Sequence, residues 1–208
     1  MKRSDLLTGK SSLWLCVFFA VLTWSGIEPK DRLTWALEAG PAIIGFIIMA
    51  WTRKSFPLTP LLYIWILFHC IILMVGAKFT YAEVPLFDSI SKFFGWERNN
   101  YDKVGHFMQG FVPALLAREI LLRKKLVNLN GWRNFIIISI CLAFSAFYEL
   151  IEWWAAEIIG QDADAFLGTQ GYAWDTQSDM AWALFGAICS VFILANIHDK
   201  YLQVLKKP

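Results

Sequence analysis

Residues 58–77 read LTPLLYIWILFHCIILMVGA, a stretch that contains no Asp, Glu, Lys or Arg. An α-helix of about 20 residues is roughly 30 Å long, which matches the hydrocarbon core of a bilayer. An uncharged run of this length is typical of a transmembrane helix. On either side of it, further apolar runs bounded by charged or turn residues predict an all-α bundle of six transmembrane helices, at residues 12–27, 33–51, 58–77, 104–122, 135–154 and 177–197.

The composition of the chain favours the membrane as its solvent. Of the 208 residues, 57% are apolar and 17% are charged, a balance that a water-soluble domain of this size could not keep off its surface. The six predicted spans leave room only for loops, so we expect one transmembrane domain over residues 1–208. The net charge of +2 and the lack of a basic run interleaved with aromatic residues exclude nucleic acid as a partner.

Lys and Arg residues are divided unevenly between the two sides of the predicted bundle. The side that holds both termini carries 13 of the 19. The positive-inside rule therefore predicts that both termini are cytoplasmic. On the other side, the segment PLFDSISKFFGW at residues 85–96 has apolar residues at helical spacing, with Pro85 suited to a first turn and Gly95 to a stop. It predicts a short amphipathic helix, placed either on the outer leaflet or over the mouth of the bundle.

Acidic residues and a histidine recur near the outer ends of three predicted spans. The fourth span carries Asp102, His106 and Gln109, the fifth carries Ser145, Glu149 and Glu152, and the sixth carries Asp175 and Asp179. Their spacing of three or four residues places them on one face of each helix. Glu38 in the second span lies about five residues, roughly 8 Å, below the outer end. Because the topology was inferred from the basic residues alone, this shared depth indicates a pocket open to the periplasm.

One imidazole among several carboxylates suits a divalent ion such as Mg, Mn, Fe or Zn, and equally suits general acid and base catalysis. The candidate metal ligands are Asp102, His106, Glu149, Glu152, Asp175 and Asp179. His106, Glu149 and Glu152 are also the candidate catalytic residues, and Gln109, Tyr148 and Glu38 are expected to line a substrate pocket. No Glu-x-x-His repeat of a di-iron bundle and no H-E-x-x-H, G-x-S-x-G or Walker motif occurs, so whether the protein is an enzyme stays open.

Several of these residues have a structural alternative. Asp102 and Asp175 stand where helices are predicted to begin and could serve as N-caps. Arg118 and Glu119 are expected to snorkel toward the cytoplasm, and His198 to be a solvated residue of the tail. The acidic loop between the fifth and sixth spans, with Asp162 and Asp164, either attracts a cation or forms a turn-rich cover.

Three blocks, YDKVGHF at 101–107, FYELIEWW at 147–154 and WDTQSDM at 174–180, make the whole chain resemble the YjdF family of uncharacterised bacterial inner-membrane proteins. More distantly, residues 101–190 are similar to the VanZ-like superfamily. That second likeness rests on the Asp102, Lys103 and His106 helix start and on an acidic aromatic helix with Tyr148 and Glu149. The first resemblance implies an inner-membrane location and no known reaction.

Three functions remain open on this basis. In the first, the pocket binds or processes a lipid-like or envelope-derived molecule, surrounded by membrane lipids and with a divalent ion as an optional cofactor. In the second, the chain is a proton-coupled carrier in which Glu38, Glu149 and His106 relay protons, which requires further ionisable groups toward the cytoplasmic side. In the third, the role is structural or accessory, and the acids are caps and interhelical hydrogen-bonding groups. The oligomeric state is open.

Overall fold

The structure, a computed structural model, describes residues 3–159 and 173–205, and within these residues the chain forms eight helices and no strand. They are α1 (Arg3–Gly26), α2 (Arg32–Thr52), α3 (Pro60–Phe79), α4 (Pro85–Phe94), α5 (Tyr101–Arg123), α6 (Asn130–Ile159), α7 (Asp175–Ile193) and α8 (Ala195–Leu205). Four of them, α2, α3, α6 and α7, are long and apolar enough to cross a membrane. The all-α class and the multi-pass character are therefore confirmed.

The other two predicted spans correspond to α1 and α5. In α1 the apolar part within the searched residues is the shorter stretch Ser11–Gly26. In α5, charged side chains occupy both ends of the helix, among them Asp102, Glu119 and Arg123. These residues lower the mean hydropathy of α5, although it lies inside the bundle and is largely buried.

Local signals at the helix ends explain where the elements begin and stop. Thr59 caps α3 ahead of Pro60, and its side chain accepts a hydrogen bond from the backbone N–H of Leu62. Gly95 ends α4 in the left-handed conformation, with φ of 68°, which glycine adopts without steric cost. The predicted helix over PLFDSISKFF is therefore confirmed, together with its proline start and glycine stop.

Helix α4 packs over the bundle with one side and presents the other outward. Phe87 meets the ring of Tyr101 edge to face, with the ring centroids 5.1 Å apart. On the opposite side, Leu86, Phe93 and Phe94 are exposed. The packing over the bundle is thus shown, and contact of the exposed side with the outer leaflet stays a prediction.

The outer surface of the bundle is apolar where a soluble protein would be polar. On α2, the side chains of Ile44, Ile47, Ile48 and Trp51 are all more than half exposed. A continuous apolar surface of this kind is unfavourable in water and is the normal exterior of a membrane bundle. We therefore treat the chain as spanning a membrane.

Helices α5 and α7 form the most closely packed pair among the described residues. Glycines allow this approach: a Cβ atom at Gly110 would overlap the carbonyl of Ala183, and one at Gly186 would overlap the carbonyl of Phe107. Small residues at a helix crossing let two backbones come together in a membrane. The N-terminal ends of α5 and α7 lie side by side as a result, and both carry polar side chains.

Candidate functional site

The imidazole of His106 lies between two carboxylates at the N-terminal ends of α5 and α7. His106 Nε2 is 3.3 Å from Asp102 Oδ1 and 3.8 Å from Asp179 Oδ2. One ligand atom from each of the three residues lies within 4.8 Å of the others. The His106 and Asp179 side chains are only 8% and 7% exposed. We call Asp102, His106 and Asp179 the His106 cluster.

Helical spacing and one hydrogen bond orient this imidazole. Asp102 precedes His106 by four residues, so the two side chains lie on successive turns of the same face. Gln109 follows by three residues, and its Oε1 is 3.0 Å from His106 Nδ1. An amide oxygen can only accept, so Nδ1 carries the proton in this arrangement. Nε2 therefore faces the two carboxylates.

Helix α6 adds a second layer of acids beside the cluster. Glu149 Oε1 is 3.9 Å from His106 Nδ1, within ion-pair range but too far for a hydrogen bond. The same oxygen is buried and has no hydrogen-bond partner among the described residues. Glu152, one turn further along, lies close enough to Glu149 and Glu38 to interact with them electrostatically. The hydroxyl of Tyr148 donates to Glu38 Oε2 at 3.4 Å.

The predicted site residues are thus brought to one end of the bundle by four helices. Glu38 comes from α2, Asp102, His106 and Gln109 from α5, Tyr148, Glu149 and Glu152 from α6, and Asp175 and Asp179 from α7. Asp162 and Asp164, in the loop after α6, lie outside the described residues.

The N-cap alternative for Asp102 and Asp175 is wrong. Asn100 and Trp174 occupy the N-cap positions of α5 and α7. Arg98 instead engages both acids: Nη1 donates to Asp175 Oδ1 at 2.6 Å, and Nη2 is 4.0 Å from Asp102 Oδ2. At these helix ends the two acids therefore pair with Arg98 and do not cap the helices.

Two basic residues that sequence reasoning left in the outer loop belong to this assembly. Besides Arg98, Lys103 places its Nζ 3.8 Å from Asp179 Oδ1 and donates to Ser178 Oγ at 2.7 Å. The one available signal for Arg98 was its position four residues before Asp102, which is the spacing of a helical ion pair. Lys103 has no comparable local signal, because its partners lie on α7.

Acidic side chains outnumber basic ones in this region. Six carboxyl side chains (Glu38, Asp102, Glu149, Glu152, Asp175 and Asp179) share it with the two cationic side chains of Arg98 and Lys103 and with one imidazole. Buried carboxylates are unfavourable unless they are paired, protonated or bound to a cation. The assembly therefore favours protons or a positively charged group beside it.

A cavity of about 220 Å³ adjoins the cluster between α6 and α7. Its walls include Glu149, Glu152 and Trp153 from α6 and Asp175, Thr176 and Asp179 from α7. Thr176 hydrogen-bonds to the Glu149 carboxylate. Trp153 is 55% exposed. The wall that α6 contributes therefore extends from buried acidic side chains to the apolar exterior of the bundle.

A second buried polar group, which we call the Glu119 cluster, lies at the other end of α5. Glu119 is fully buried and accepts hydrogen bonds from Thr59 N at 3.0 Å, Thr59 Oγ1 at 2.8 Å, Arg123 Nη1 at 2.8 Å and His198 Nε2 at 3.0 Å. Arg118 Nη1 lies 3.1 Å from His198 Nδ1. Since a guanidinium only donates, His198 accepts at Nδ1 and donates at Nε2.

Two expectations about this end of the chain are wrong. His198 is 0% exposed and is not a solvated tail residue, and Glu119 does not snorkel. The reason is that α8 packs back against the bundle, so that His198 and Leu202, four residues apart, are both buried. A side chain with four hydrogen bonds inside the bundle has no need to reach the membrane surface.

The fold and these two clusters define a multi-pass helical membrane protein with ionisable side chains buried at both ends of its central helix. Residues 10–200 match the family described as "Predicted membrane protein (DUF2238)". The chain belongs to this family. It is 50% identical over 198 residues to "Inner membrane protein YjdF" of Escherichia coli (strain K12), covering 95% of this chain and 93% of that protein. No solved structure matches the chain.

These comparisons confirm the predicted resemblance to the YjdF family and support an inner-membrane, multi-pass protein. Neither match bears on the distant VanZ-like resemblance, which stays a prediction. The family description and the relative's name state no reaction, ligand or partner.

Proposed function

We propose that this inner-membrane protein uses the His106 cluster and the adjoining cavity, opening to the periplasm, to bind or process a lipid-like or envelope-derived molecule. The observation that carries the proposal is the position of the cavity. Its inner wall is formed by buried acids including Glu149 and Asp179, and its outer wall includes the half-exposed ring of Trp153. An amphipathic molecule has a polar and an apolar part that match these two walls.

The apolar part of such a molecule would continue along the lipid-facing surface of α6. Phe147 and Trp154 are about half exposed beside Trp153, and their rings meet edge to face at 6.3 Å. Aromatic side chains at the depth of the headgroups are favourable neighbours for an acyl or prenyl chain and for the polar group that it carries. An amphipathic ligand therefore fits this site better than a small polar solute does.

If the ligand is processed, His106 is the residue placed for acid and base chemistry, with Glu149 and Glu152 beside it. The Gln109 hydrogen bond holds one ring nitrogen, and the other points toward Asp102 and Asp179. An imidazole that is held through one ring nitrogen, with the other beside two carboxylates, is suited to exchange a proton or to bind a metal.

A direct test uses the full chain purified in detergent and incubated with a bacterial polar-lipid extract. Native mass spectrometry would count the lipid species that remain bound to the wild type and to His106→Ala and Glu149→Ala. A matched control is Glu83→Ala, which removes an acid that is half exposed outside the site. We expect defined bound species on the wild type and the control and their loss from both site variants. Unchanged binding in both correctly folded variants would rule out the pocket.

The finer topology is part of the same proposal: six crossings, by α1, α2, α3, α5, α6 and α7, with both termini in the cytoplasm. Helix lengths of 19 to 30 residues are sufficient for each crossing, and the 13 basic residues of 19 on one side support the orientation. Cysteines introduced at Ser89 and Lys125 would be labelled by an impermeant maleimide from opposite sides of the membrane. Labelling of both from the same side would refute the arrangement.

A further inference from the structure

We propose that Asp102, His106 and Asp179 bind one divalent transition-metal ion, with Nε2 of His106, Oδ1 of Asp102 and Oδ2 of Asp179 as its ligands. This inference rests on the proposed function and deepens it, since the ion would lie in the same pocket, beside the carboxyl groups that line it. Four observations on these side chains support it.

The first observation is the distance between the ligand atoms. In proteins, Zn–N and Zn–O bonds are about 2.0–2.2 Å long, which places neighbouring ligand atoms roughly 3–3.5 Å apart. The separations from His106 Nε2 are 3.3 Å to Asp102 and 3.8 Å to Asp179, and all three atoms lie within 4.8 Å of one another. A side-chain movement of about 1 Å would close the set around an ion.

The second observation is the orientation of the imidazole. Because Gln109 Oε1 accepts the proton of Nδ1, Nδ1 is held away from the two carboxylates and Nε2 is directed at them. In the neutral imidazole the lone pair of Nε2 then meets two carboxylate oxygens, and a bound cation would stabilise this arrangement. In metal sites, a hydrogen bond to the second ring nitrogen is the usual means of holding the ligating histidine in place.

The third observation is the placement of the neighbouring basic residues. Arg98 approaches Oδ2 of Asp102, and Lys103 approaches Oδ1 of Asp179. Both are the carboxylate oxygens that do not face the imidazole. The basic groups thus orient the two carboxylates and leave the inner oxygens, Asp102 Oδ1 and Asp179 Oδ2, directed at His106.

The fourth observation is an unpartnered carboxylate oxygen on the cavity wall. Glu149 Oε1 has no hydrogen-bond partner among the described residues, although the side chain is only 7% exposed. Asp179 Oδ1, which lies 3.8 Å from Lys103 Nζ, likewise has no hydrogen-bond partner among these residues, and Asp179 belongs to both the cluster and the cavity wall. An ion bound by three protein ligands keeps open positions for water or ligand, and the cavity that Asp179 and Glu149 both line leaves space for such a group.

The donor set defines the class of metal. One imidazole nitrogen and two carboxylate oxygens suit borderline ions such as Zn²⁺, Mn²⁺ and Fe²⁺. Cu⁺ prefers thiolates and thioethers, and Ca²⁺ takes six to eight oxygen ligands, so neither fits this set.

The test uses the full chain in detergent, stripped of metal with EDTA and titrated calorimetrically with Zn²⁺ and with Mn²⁺. We expect one ion per chain for the wild type and for the control Glu83→Gln. Affinity should fall more than about 100-fold in Asp102→Asn, His106→Gln and Asp179→Asn, because loss of even an outer-shell partner costs about 10–100-fold. Binding of neither ion by the wild type, or unchanged affinity in all three variants, would overturn the site.

Gln109 provides a test that leaves all three ligands in place. Gln109→Leu removes the acceptor of the Nδ1 proton and should weaken metal binding about 10–100-fold, whereas Gln109→Glu keeps an acceptor and should retain binding. The visible d–d absorption of bound Co²⁺ should change in His106→Gln and not in Glu83→Gln. Equal affinities in the Leu and Glu variants would contradict the proposal that the hydrogen bond from Nδ1 to residue 109 orients the imidazole for metal binding.

The two proposals fail in different ways. If the wild type binds no metal but still retains lipid species in native mass spectrometry, the metal site is wrong and the proposed function stands. If it binds one ion through these residues but retains no lipid species, the metal site stands and the proposed function is wrong.

Discussion

Replacement of Glu119 by Gln tests how much the Glu119 cluster stabilises the bundle. Oε1 accepts hydrogen bonds from Thr59 N and Arg123 Nη1, and Oε2 accepts from Thr59 Oγ1 and His198 Nε2, all at 2.8–3.0 Å. An amide keeps one oxygen, and its NH₂ group must face two of these donors. The hydroxyl of Thr59 can turn and Arg123 can reach solvent, so one to two hydrogen bonds to a charged group are lost. Each contributes about 1.5–3 kcal/mol, which gives a destabilisation of about 1.5–6 kcal/mol.

The assay is reversible unfolding in mixed detergent–SDS micelles, followed by circular dichroism. The control is Glu83→Gln, because Glu83 pairs with Lys30 at the surface and both side chains are about half exposed. An exposed pair contributes about 0–1 kcal/mol. If the two variants lower the free energy of unfolding equally, the Glu119 cluster at the C-terminal end of α5 stabilises the bundle no more than an exposed ion pair does, and the reasoning is refuted.

Three further predictions concern other parts of the bundle. Gly110→Ala would force α5 away from the carbonyl of Ala183, so we expect a lower midpoint of thermal unfolding, measured by circular dichroism, and weaker Zn²⁺ binding. Asp31→Ala should destabilise the protein by about 1 kcal/mol. The backbone N–H of Thr34 lowers the pKa of Asp31 below 3.8, so this contribution is fully present above pH 3.8 and is lost as the pH falls through the lowered value. A comparison of wild type and variant by unfolding at pH 7 and at pH 3 checks both statements. Proteoliposomes with a pH gradient should show no proton flux through the chain with a pH-sensitive dye, and a flux abolished by Glu149→Gln would contradict this.

The parts of the fold that follow from local signals were predictable. The uncharged run 58–77 corresponds to α3 at Pro60–Phe79, and Pro85 and Gly95 delimit α4 as expected. The length of an apolar run, its lack of charged residues and the turn residues beside it determine where such a helix begins and ends. By contrast, α8 was missed because its burial depends on docking against α3, α5 and α7, and the tail sequence ANIHDKYLQVL is polar enough to be soluble.

The candidate site was predictable along each helix but not between helices. The face shared by Asp102, His106 and Gln109 follows from helical spacing. The approach of Asp179 to His106 depends on the glycine contact between α5 and α7, which no single helix pattern contains. The inward direction of Arg98 and Lys103 is likewise a tertiary effect, since their nearest acids include residues of α7.

The distribution of polar groups along α5 argues for a site with one opening and against a proton path. His106 and Glu119 are 13 residues apart, roughly 20 Å along a helix. Apart from Arg118, which contacts His198 of the Glu119 cluster, the buried residues of α5 between them are apolar or glycine, with Phe111, Val112 and Leu115 among them. The Glu119 cluster is also internally hydrogen-bonded, with its imidazole held between Arg118 and Glu119. A relay needs ionisable groups in sequence and free to exchange protons. The bundle instead separates a polar assembly in which buried carboxylate oxygens lack hydrogen-bond partners from one in which every side-chain oxygen of Glu119 and both ring nitrogens of His198 have partners. This difference favours a ligand site at the first end and a structural role at the second.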